Sequence, residues 1–276
     1  MKNLLKYFFL FLLICITLQS SAYCAIKITP NKFEFKAKEN QKYITGAFSV
    51  ETNGDENIRF KVYPDFFEIS NEGLLAEGNK DAANSLVRNI RFSPNEFTVS
   101  PGTTQIVRFT ITDVKNLPDG ESRVVLFLED TKTKEIILQS ANKDISPKII
   151  VKTRAIMPIY VDKGNIVKAG EIETLKIDKN TKGLNYLMQV KATGNSKIRV
   201  SGKVRVIKDK KLTNEFLINS RAIQAGTTSN IMNSVPTDEL NNGEYILKVI
   251  LNYADQDFKN KNIVKETNFK VENGKL

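Results

Sequence analysis

Acidic residues are the side chains of this sequence that could most readily do chemistry, and several of them stand as neighbouring pairs. Asp55-Glu56 and Glu129-Asp130 are two examples. Two carboxyl groups that face one substrate can hydrolyse a glycosidic bond, because one acts as an acid and the other as a base or nucleophile. Carboxylates also bind calcium, but the ligand spacing of an EF-hand is missing here. Both pairs fall in predicted loops, so we interpret them as solvated turns.

The other residue types on which enzymes depend are scarce. The 276 residues include no histidine, which excludes the Ser-His-Asp triad and most zinc sites. Cys15 and Cys24 are the two cysteines, and both lie near the N-terminus, so the rest of the chain can form no internal disulfide. No G-x-S-x-G elbow, phosphate-binding loop or G-x-G-x-x-G motif occurs. We therefore predict that the protein is not an enzyme and uses no cofactor or metal.

Residues 1–25 have the parts of a secretory signal peptide. Lys2 and Lys6 give a positive start, an apolar run covers residues 7–18, and small residues follow at 20–22. The apolar run is shorter than the roughly 20 residues of a spanning helix. No later stretch is long enough to cross a membrane, so we expect the mature chain to be soluble outside the cytoplasm.

Cleavage of this signal peptide is predicted between Ala22 and Ile26. Acylation of Cys24, as in a lipoprotein, is the alternative. The bulky side chain of Tyr23 argues against acylation, because a small residue normally precedes a lipid-modified cysteine.

Basic residues give the chain a formal net charge of +10 at pH 7. They are spread along the chain and alternate with apolar residues, as in Lys203-Val204-Arg205-Val206. This pattern favours the solvated face of a sheet over a nucleic-acid surface, and the RRM signature is missing. We therefore expect no nucleic-acid partner.

Apolar residues recur at every second position in several segments, which is typical of strands with one face in a core and the other in water. Turn dipeptides separate these segments, which favours an all-β fold of two immunoglobulin-like β-sandwich domains. Short helical pieces are expected only near residues 80–86 and 236–240. The alternating sets are Ile58, Phe60 and Val62; Val107, Phe109 and Ile111; Val204 and Val206; and Tyr245, Leu247, Val249, Leu251 and Tyr253. The turns are Asn53-Gly54, Pro101-Gly102, Asp119-Gly120 and Asn242-Gly243.

A domain boundary is predicted near residues 162–164, where a long apolar strand ends and a polar, Gly-containing segment follows. The predicted domains are residues 26–162 and 163–276, after a signal peptide at 1–25. Each has about the length of one immunoglobulin-like sandwich.

An ordered series of motifs lies between residues 91 and 122. It consists of Arg91-Phe92-Ser93-Pro94, Phe97-Thr98-Val99-Ser100-Pro101-Gly102, Gln105-Ile106-Val107-Arg108-Phe109, Leu117-Pro118 and Glu121-Ser122. The series resembles the N-terminal domain of the PapD-like periplasmic pilus-assembly chaperones, which show a PG..Q.(V/L)R run followed by an LP..RES turn before an apolar strand. The resemblance covers residues 26–161. The sequence departs from the family at the RES arginine, where Gly120 stands, and residues 164–276 resemble the family only as another predicted sandwich.

The resemblance implies an L-shaped pair of sandwiches with a cleft, in a periplasmic chaperone that lends a strand to an incomplete pilus or surface-fibre subunit. Residues 148–158 are the implied lending strand. Ile149 and Val151 are the implied lent side chains, with Thr153 next. Lys32 and Arg154 are the implied cations for the terminal carboxylate of the subunit. On the residues alone, Ile149 and Val151 could equally be core residues of an ordinary last strand.

The apolar run Val124–Leu128 should enter the centre of a sheet and pair with the lending strand at residues 148–161. A flexible loop is expected between them at 129–147. The implied partners are pilus or surface-fibre subunits and an outer-membrane usher. The alternative function is a secreted structural or adhesive β-sandwich protein of the cell surface. The polar tail at residues 269–276 lacks the anchor or sorting signal usual in such proteins, which favours the chaperone.

Overall fold

The computed structural model describes residues 26–137, 148–178, 184–236, 240–254 and 259–272. Within these ranges the chain forms β-strands, and its helical content is one 3-10 helix at Val114–Asn116. The all-β prediction is confirmed. The predicted signal peptide lies outside the described residues.

The first sandwich is built from two sheets, of strand order β1-β3-β9-β7 and β2-β13-β10-β4-β8. Two hairpins, β5–β6 and β11–β12, extend from it. The strands are β1 (Ile26–Thr29), β2 (Phe33–Lys36), β3 (Tyr43–Thr52), β4 (Ile58–Asp65), β5 (Phe67–Ile69), β6 (Leu75–Glu77), β7 (Ile90–Ser93), β8 (Glu96–Val99), β9 (Thr104–Thr112), β10 (Gly120–Asp130), β11 (Lys134–Ile137), β12 (Lys148–Val151) and β13 (Arg154–Lys163).

The strand order of this sandwich is that of an immunoglobulin-like domain. The chain crosses between the sheets from β1 to β2 and again from β7 to β8, so each of these pairs acts as one strand divided between both sheets. With β1/β2 and β7/β8 as strands A and D, the two sheets have the immunoglobulin-like orders ABED and CFG. The crossings occur at Thr29-Pro30 and Ser93-Pro94.

The second sandwich is also built from two sheets, of strand order β14-β15-β18 and β17-β16-β19-β20, but here the strand after β16 stays in the same sheet and pairs with it. Alternation produces it directly: every second residue of β15 is buried, and Tyr245, Leu247, Val249 and Leu251 of β19 all enter the core. Its strands are β14 (Gly170–Asp178), β15 (Leu184–Ala192), β16 (Ile198–Lys208), β17 (Lys211–Ile223), β18 (Thr228–Val235), β19 (Gly243–Ala254) and β20 (Asn260–Val271).

β10 is the centre of the CFG sheet and is buried on both of its faces. Its neighbours are β4 and β13. Val124, Leu126 and Leu128 point into the core between the sheets, whereas Val125 and Phe127 lie in a second apolar cluster on the outer face. A strand with two buried faces needs apolar residues at consecutive positions, which explains the unbroken run.

The helical piece predicted near residues 80–86 is wrong. This segment is a series of turns, and the Leu86 amide donates to the Arg123 carbonyl at 3.0 Å, so the backbone is tied to the start of β10. The Asn79 side chain also accepts the amide of Asp81 at 3.0 Å, a local bond that competes with a helix. Residues 237–239 of the second predicted piece lie outside the described residues.

The two sandwiches meet near the start of β10. The Glu121 amide donates to the Asn195 carbonyl at 2.9 Å, and the Ser196 hydroxyl donates to Asp162 at 2.9 Å. Gly120 has φ +108°, and a Cβ on it would lie 2.6 Å from the Asn195 carbonyl oxygen, so this contact requires glycine. The boundary at 162/163 and the L-shape with its cleft remain predictions.

Candidate partner-binding strand

The predicted lending strand is divided into two strands in the structure. β12 and β13 are separated by Lys152 and Thr153, and only β13 pairs with β10, with Val124 opposite Ile159 and Leu128 opposite Ala155. The prediction that β10 pairs with residues 148–161 is therefore correct only for the second part.

β12 pairs with β11 instead of β10, so residues 129–147 are not simply a loop. β10 continues to Asp130 and β11 occupies Lys134–Ile137; residues 138–147 lie outside the described residues. The Asp130 amide donates to the Thr153 carbonyl at 3.0 Å, which links the two pairs of strands. Together they form one long hairpin that extends past the sandwich.

The side chains of β12 are apolar and exposed to solvent. Ile149 is 46% exposed, Ile150 63% and Val151 38%, and Ile136 on β11 is 49% exposed. Neither Ile149 nor Val151 belongs to the core, so the interpretation of them as core residues of an ordinary last strand is wrong.

An unpaired strand edge continues from β12 into β13. On the side of β13 away from β10, β2 pairs in parallel with Ile159–Asp162. Before that point, in the part of the chain that the structure describes, no strand pairs with this edge of Arg154–Pro158 or with the edge of β12 away from β11. The backbone N–H and C=O groups along these edges are therefore open to another strand.

Lys32 lies just before β2 and belongs to a chain of charges that reaches the second sandwich. Its ammonium is 3.0 Å from Glu34 Oε1, and the same oxygen is 3.5 Å from Lys197 Nζ. Burial raises the pKa of the Glu34 carboxyl, but Lys197 and Lys32 outweigh burial and the pKa is lowered overall. Lys197 also lies 2.9 Å from Glu121 Oε2, so one ammonium joins carboxylates from two strands.

Arg154 lies apart from this group. Phe33, the residue after Lys32, pairs with Ile159 in the second half of β13, whereas Arg154 begins that strand. The structure therefore does not bring together the two cations implied by the resemblance. It places Lys197 beside Lys32 instead.

Arg154 takes part in a surface network at the root of the β11–β12 hairpin. Its guanidinium stacks 5.0 Å from the centre of the Phe127 ring and donates to the Tyr63 hydroxyl at 3.4 Å. Glu129 accepts hydrogen bonds from Lys152 at 2.8 Å and from Tyr63 at 2.9 Å, which lower the pKa of its carboxyl. The network holds the side chains of Lys152 and Arg154, the two neighbours of Thr153. Thr153 itself is exposed.

Lys197 and Arg123 were missed by the sequence reasoning. Arg123 is buried, with Nε donating to the Phe67 carbonyl at 3.0 Å and the guanidinium 4.7 Å from the centre of the Phe66 ring. Burial lowers the pKa of Arg123, while the Glu121 carboxylate opposes that shift. The position of Arg123 directly after the Glu121-Ser122 motif was a signal of its role. Nothing near Lys197 in the sequence indicates a contact with the first sandwich.

The described residues hold no group of three or more acidic, histidine or cysteine side chains placed to bind a metal. Across the same residues, no helix has the length and apolarity needed to span a membrane.

No family model matches this chain, and no curated protein matches it either. Among solved structures, it is similar to the YadV chaperone at 13% identity and a TM-score of 0.42, over 90% of this chain and 100% of that one. The class 5 fimbriae chaperone CfaA has 13% identity and a TM-score of 0.44, over 88% and 98%. The CsuC–CsuE chaperone–tip subunit complex of Acinetobacter baumannii has 13% identity and a TM-score of 0.45, over 87% and 97%.

Proposed function

We propose that the protein is a periplasmic chaperone that lends β12 to an incomplete immunoglobulin-like subunit of a pilus or surface fibre. The observation that carries this proposal is the exposed apolar strand β12, whose outer edge has no strand partner among the described residues. The motif series at residues 91–122 supports the same function. The predicted signal peptide supplies the route to the periplasm.

An exposed apolar edge is a feature that most proteins avoid, because it pairs with other chains. Here the edge is accompanied by ion pairs, between Lys148 and Glu135 at 2.6 Å and between Lys152 and Glu129 at 2.8 Å. These charges keep the hairpin soluble while Ile149 and Val151 stay available. Strand addition then combines main-chain hydrogen bonds for affinity with alternate side chains for specificity.

The lent residues lie on one side of the strand. Ile149 and Val151 alternate with Lys148 and Ile150, so they point to the same face of β12. We propose that these two side chains fill pockets in the subunit and that Thr153 follows them. Ile150 points to the other face.

We assign the subunit carboxylate to Lys32, with Lys197 as its second cation. Both ammonium groups lie within 3.5 Å of Glu34 Oε1, so an incoming carboxylate would have to displace the Glu34 carboxylate from them. Arg154, the other cation implied by the resemblance, lies at the start of β13 and contacts Phe127 and Tyr63 instead.

The test is capture of a subunit from a periplasmic extract of cells that produce this protein. The bait is the mature chain tagged at its C-terminus, beside Ile149→Asp/Val151→Asp and the control Ile106→Asp. Ile106 is 45% exposed on β9, away from the hairpin, so the control adds one charge at an exposure close to the 46% of Ile149. We expect a secreted β-protein bound by the unmodified chain and the control and lost from the double variant. Hydrogen exchange should show new protection of the β12 amides in the complex.

Binding that survives the double variant would disprove strand lending. If the folded, unmodified chain captures nothing and a salt wash of intact cells releases the protein from the outer surface, the structural or adhesive function replaces the chaperone.

A further inference from the structure

The β5–β6 hairpin is rooted in the first sandwich and leaves its surface. The Arg123 guanidinium donates to the Phe67 carbonyl at 3.0 Å, and the Phe67 ring meets the Tyr160 ring edge-on at 6.0 Å between centres. The Gly78 amide donates to the Phe66 carbonyl at 3.0 Å and closes the base. The hairpin therefore starts from buried contacts on the outer face of the CFG sheet.

The tip of the hairpin is bonded to the second sandwich. The Asn71 carbonyl accepts the Asn230 amide at 2.6 Å and the Ser229 hydroxyl at 3.3 Å. The Ile69 amide donates to Gln224 Oε1 at 3.0 Å, and Gln224 is almost fully buried. The bond between Asn230 and Asn71 joins main-chain groups of the two sandwiches, as the bonds between paired strands do.

The bonded tip also covers an edge of the second sandwich. β18 is the last strand of the sheet β14-β15-β18, and it pairs with β15 in a regular antiparallel register. The Asn230 N–H bonds to Asn71, so it points away from β15. The hairpin satisfies a backbone donor that would otherwise be exposed on an edge strand.

A second, separate contact joins the sandwiches through Glu121, Asn195 and Lys197. A single contact would allow the second sandwich to rotate about it, whereas a second contact opposes this rotation. We propose that the β5–β6 hairpin is a brace that holds the two sandwiches at one fixed angle. This inference does not depend on the proposed chaperone function, because it concerns the chain alone.

Two variants remove the brace from opposite sides. Gln224→Ala/Asn230→Pro deletes the acceptor for Ile69 and the donor to Asn71, and an edge strand accepts proline where the N–H faces outward. The second variant replaces residues 70–74 with Gly-Gly, a two-residue turn between the paired Ile69 and Leu75 that changes only the first sandwich.

Met232→Pro is the matched control. Met232 lies two positions beyond Asn230 on β18, so its N–H faces the same outer edge. Its side chain is 72% exposed, and the bonds described above from the hairpin tip do not involve it.

The measurement is the distribution of distances between spin labels at Thr98→Cys on β8 and Thr213→Cys on β17, by double electron–electron resonance. A chain that begins at Ile26 has no cysteine of its own, so the labels are unique. We expect a narrow distribution for the parent and for Met232→Pro, and a clearly broader one for both brace variants.

Brace variants that are folded by circular dichroism and keep the narrow distribution would overturn the inference. If the proline variant does not fold, the Gly-Gly variant decides the question, since it leaves the second sandwich unchanged. Hydrogen exchange gives an independent readout: the amides around Asn230 should exchange roughly fivefold faster in the Gly-Gly variant, as expected for the loss of one hydrogen bond.

Discussion

Tyr160 lies at the contact between the two sandwiches, and the ionisation of its hydroxyl depends on this contact. Its side chain is nearly buried on the outer face of β13, and the Lys197 ammonium lies 3.5 Å from the centre of its ring. Burial raises the pKa of the Tyr160 hydroxyl to about 12, and the nearby Glu121 carboxylate adds to the shift. Exposed tyrosines ionise near pH 10, so Tyr160 should be among the last to lose its proton.

The raised pKa predicts a stability loss at alkaline pH. The folded state holds the Tyr160 proton between about pH 10 and about pH 12, where the unfolded state has released it, so the free energy of unfolding falls as pH rises through this window. Below pH 10 both states are protonated and the full contribution is present. Chemical denaturation at a series of pH values should show a steeper decline for the parent than for Tyr160→Phe. Equal slopes would contradict the assignment.

At the scale of elements, β10 is the strand on which the first sandwich depends most. It joins β4 to β13, contributes to two apolar clusters, and begins beside the second sandwich at Gly120 and Glu121. A strand in this position has no solvent-exposed face on which substitutions are harmless.

We predict that Val124→Ala and Val125→Ala each lower the free energy of unfolding by about 2 kcal/mol, because both side chains are fully buried on opposite faces. β19 provides the comparison. There, Val249→Ala should cost a similar amount and Ile250→Ala much less, since Ile250 is only partly buried. Urea unfolding of the four variants measures the difference. A small effect at Val125 would show that the outer cluster contributes little.

The unbroken apolar run Val124–Leu128 predicted the central place of β10. Alternation in the sequence was sufficient to predict many of the other strands, because periodicity follows directly from which faces are buried. It could not predict the break at Lys152 and Thr153 or the pairing of β12 with β11. An apolar run has the same sequence pattern whether it enters a core or extends past one. The sequence alone therefore could not decide whether Ile149 and Val151 are core residues or exposed residues of a lent strand. The false helix at residues 80–86 arose because a long-range bond from Leu86 to Arg123 overrides local preference.

At the scale of the whole molecule, Lys197 connects the two sandwiches. Its side chain is 11% exposed and that of Glu121 is fully buried, so the pair is largely removed from water. The residues that meet here lie in different sandwiches. The resemblance indicated Lys32, but periodicity describes each strand separately and could not bring Lys197 to it.

Lys197→Met should leave the buried Glu121 carboxylate without its ammonium partner and lower the free energy of unfolding by about 3 kcal/mol. Part of this loss should be recovered in Glu121→Gln/Lys197→Met, which removes both charges of the pair but leaves the buried Arg123 without the Glu121 carboxylate. As a control, Lys203→Met disrupts a more exposed pair with Glu215 and should have no measurable effect. Denaturant midpoints from circular dichroism provide the comparison, and a single variant as stable as the parent would contradict it.

The parallel pairing of β2 with β13 sets an order of events during synthesis. Phe33–Lys36 must wait for Ile159–Asp162, which follows more than 100 residues later. At about 5–20 residues per second, this delay is roughly ten seconds on the ribosome. Until then Phe33 lacks Ile159, the residue opposite it on β13, and the sheet that contains β2 is incomplete. Such long-range pairing slows folding. On the nascent chain β2 therefore stays without its strand partner until β13 has been made, whereas β1 can pair with β3 much earlier.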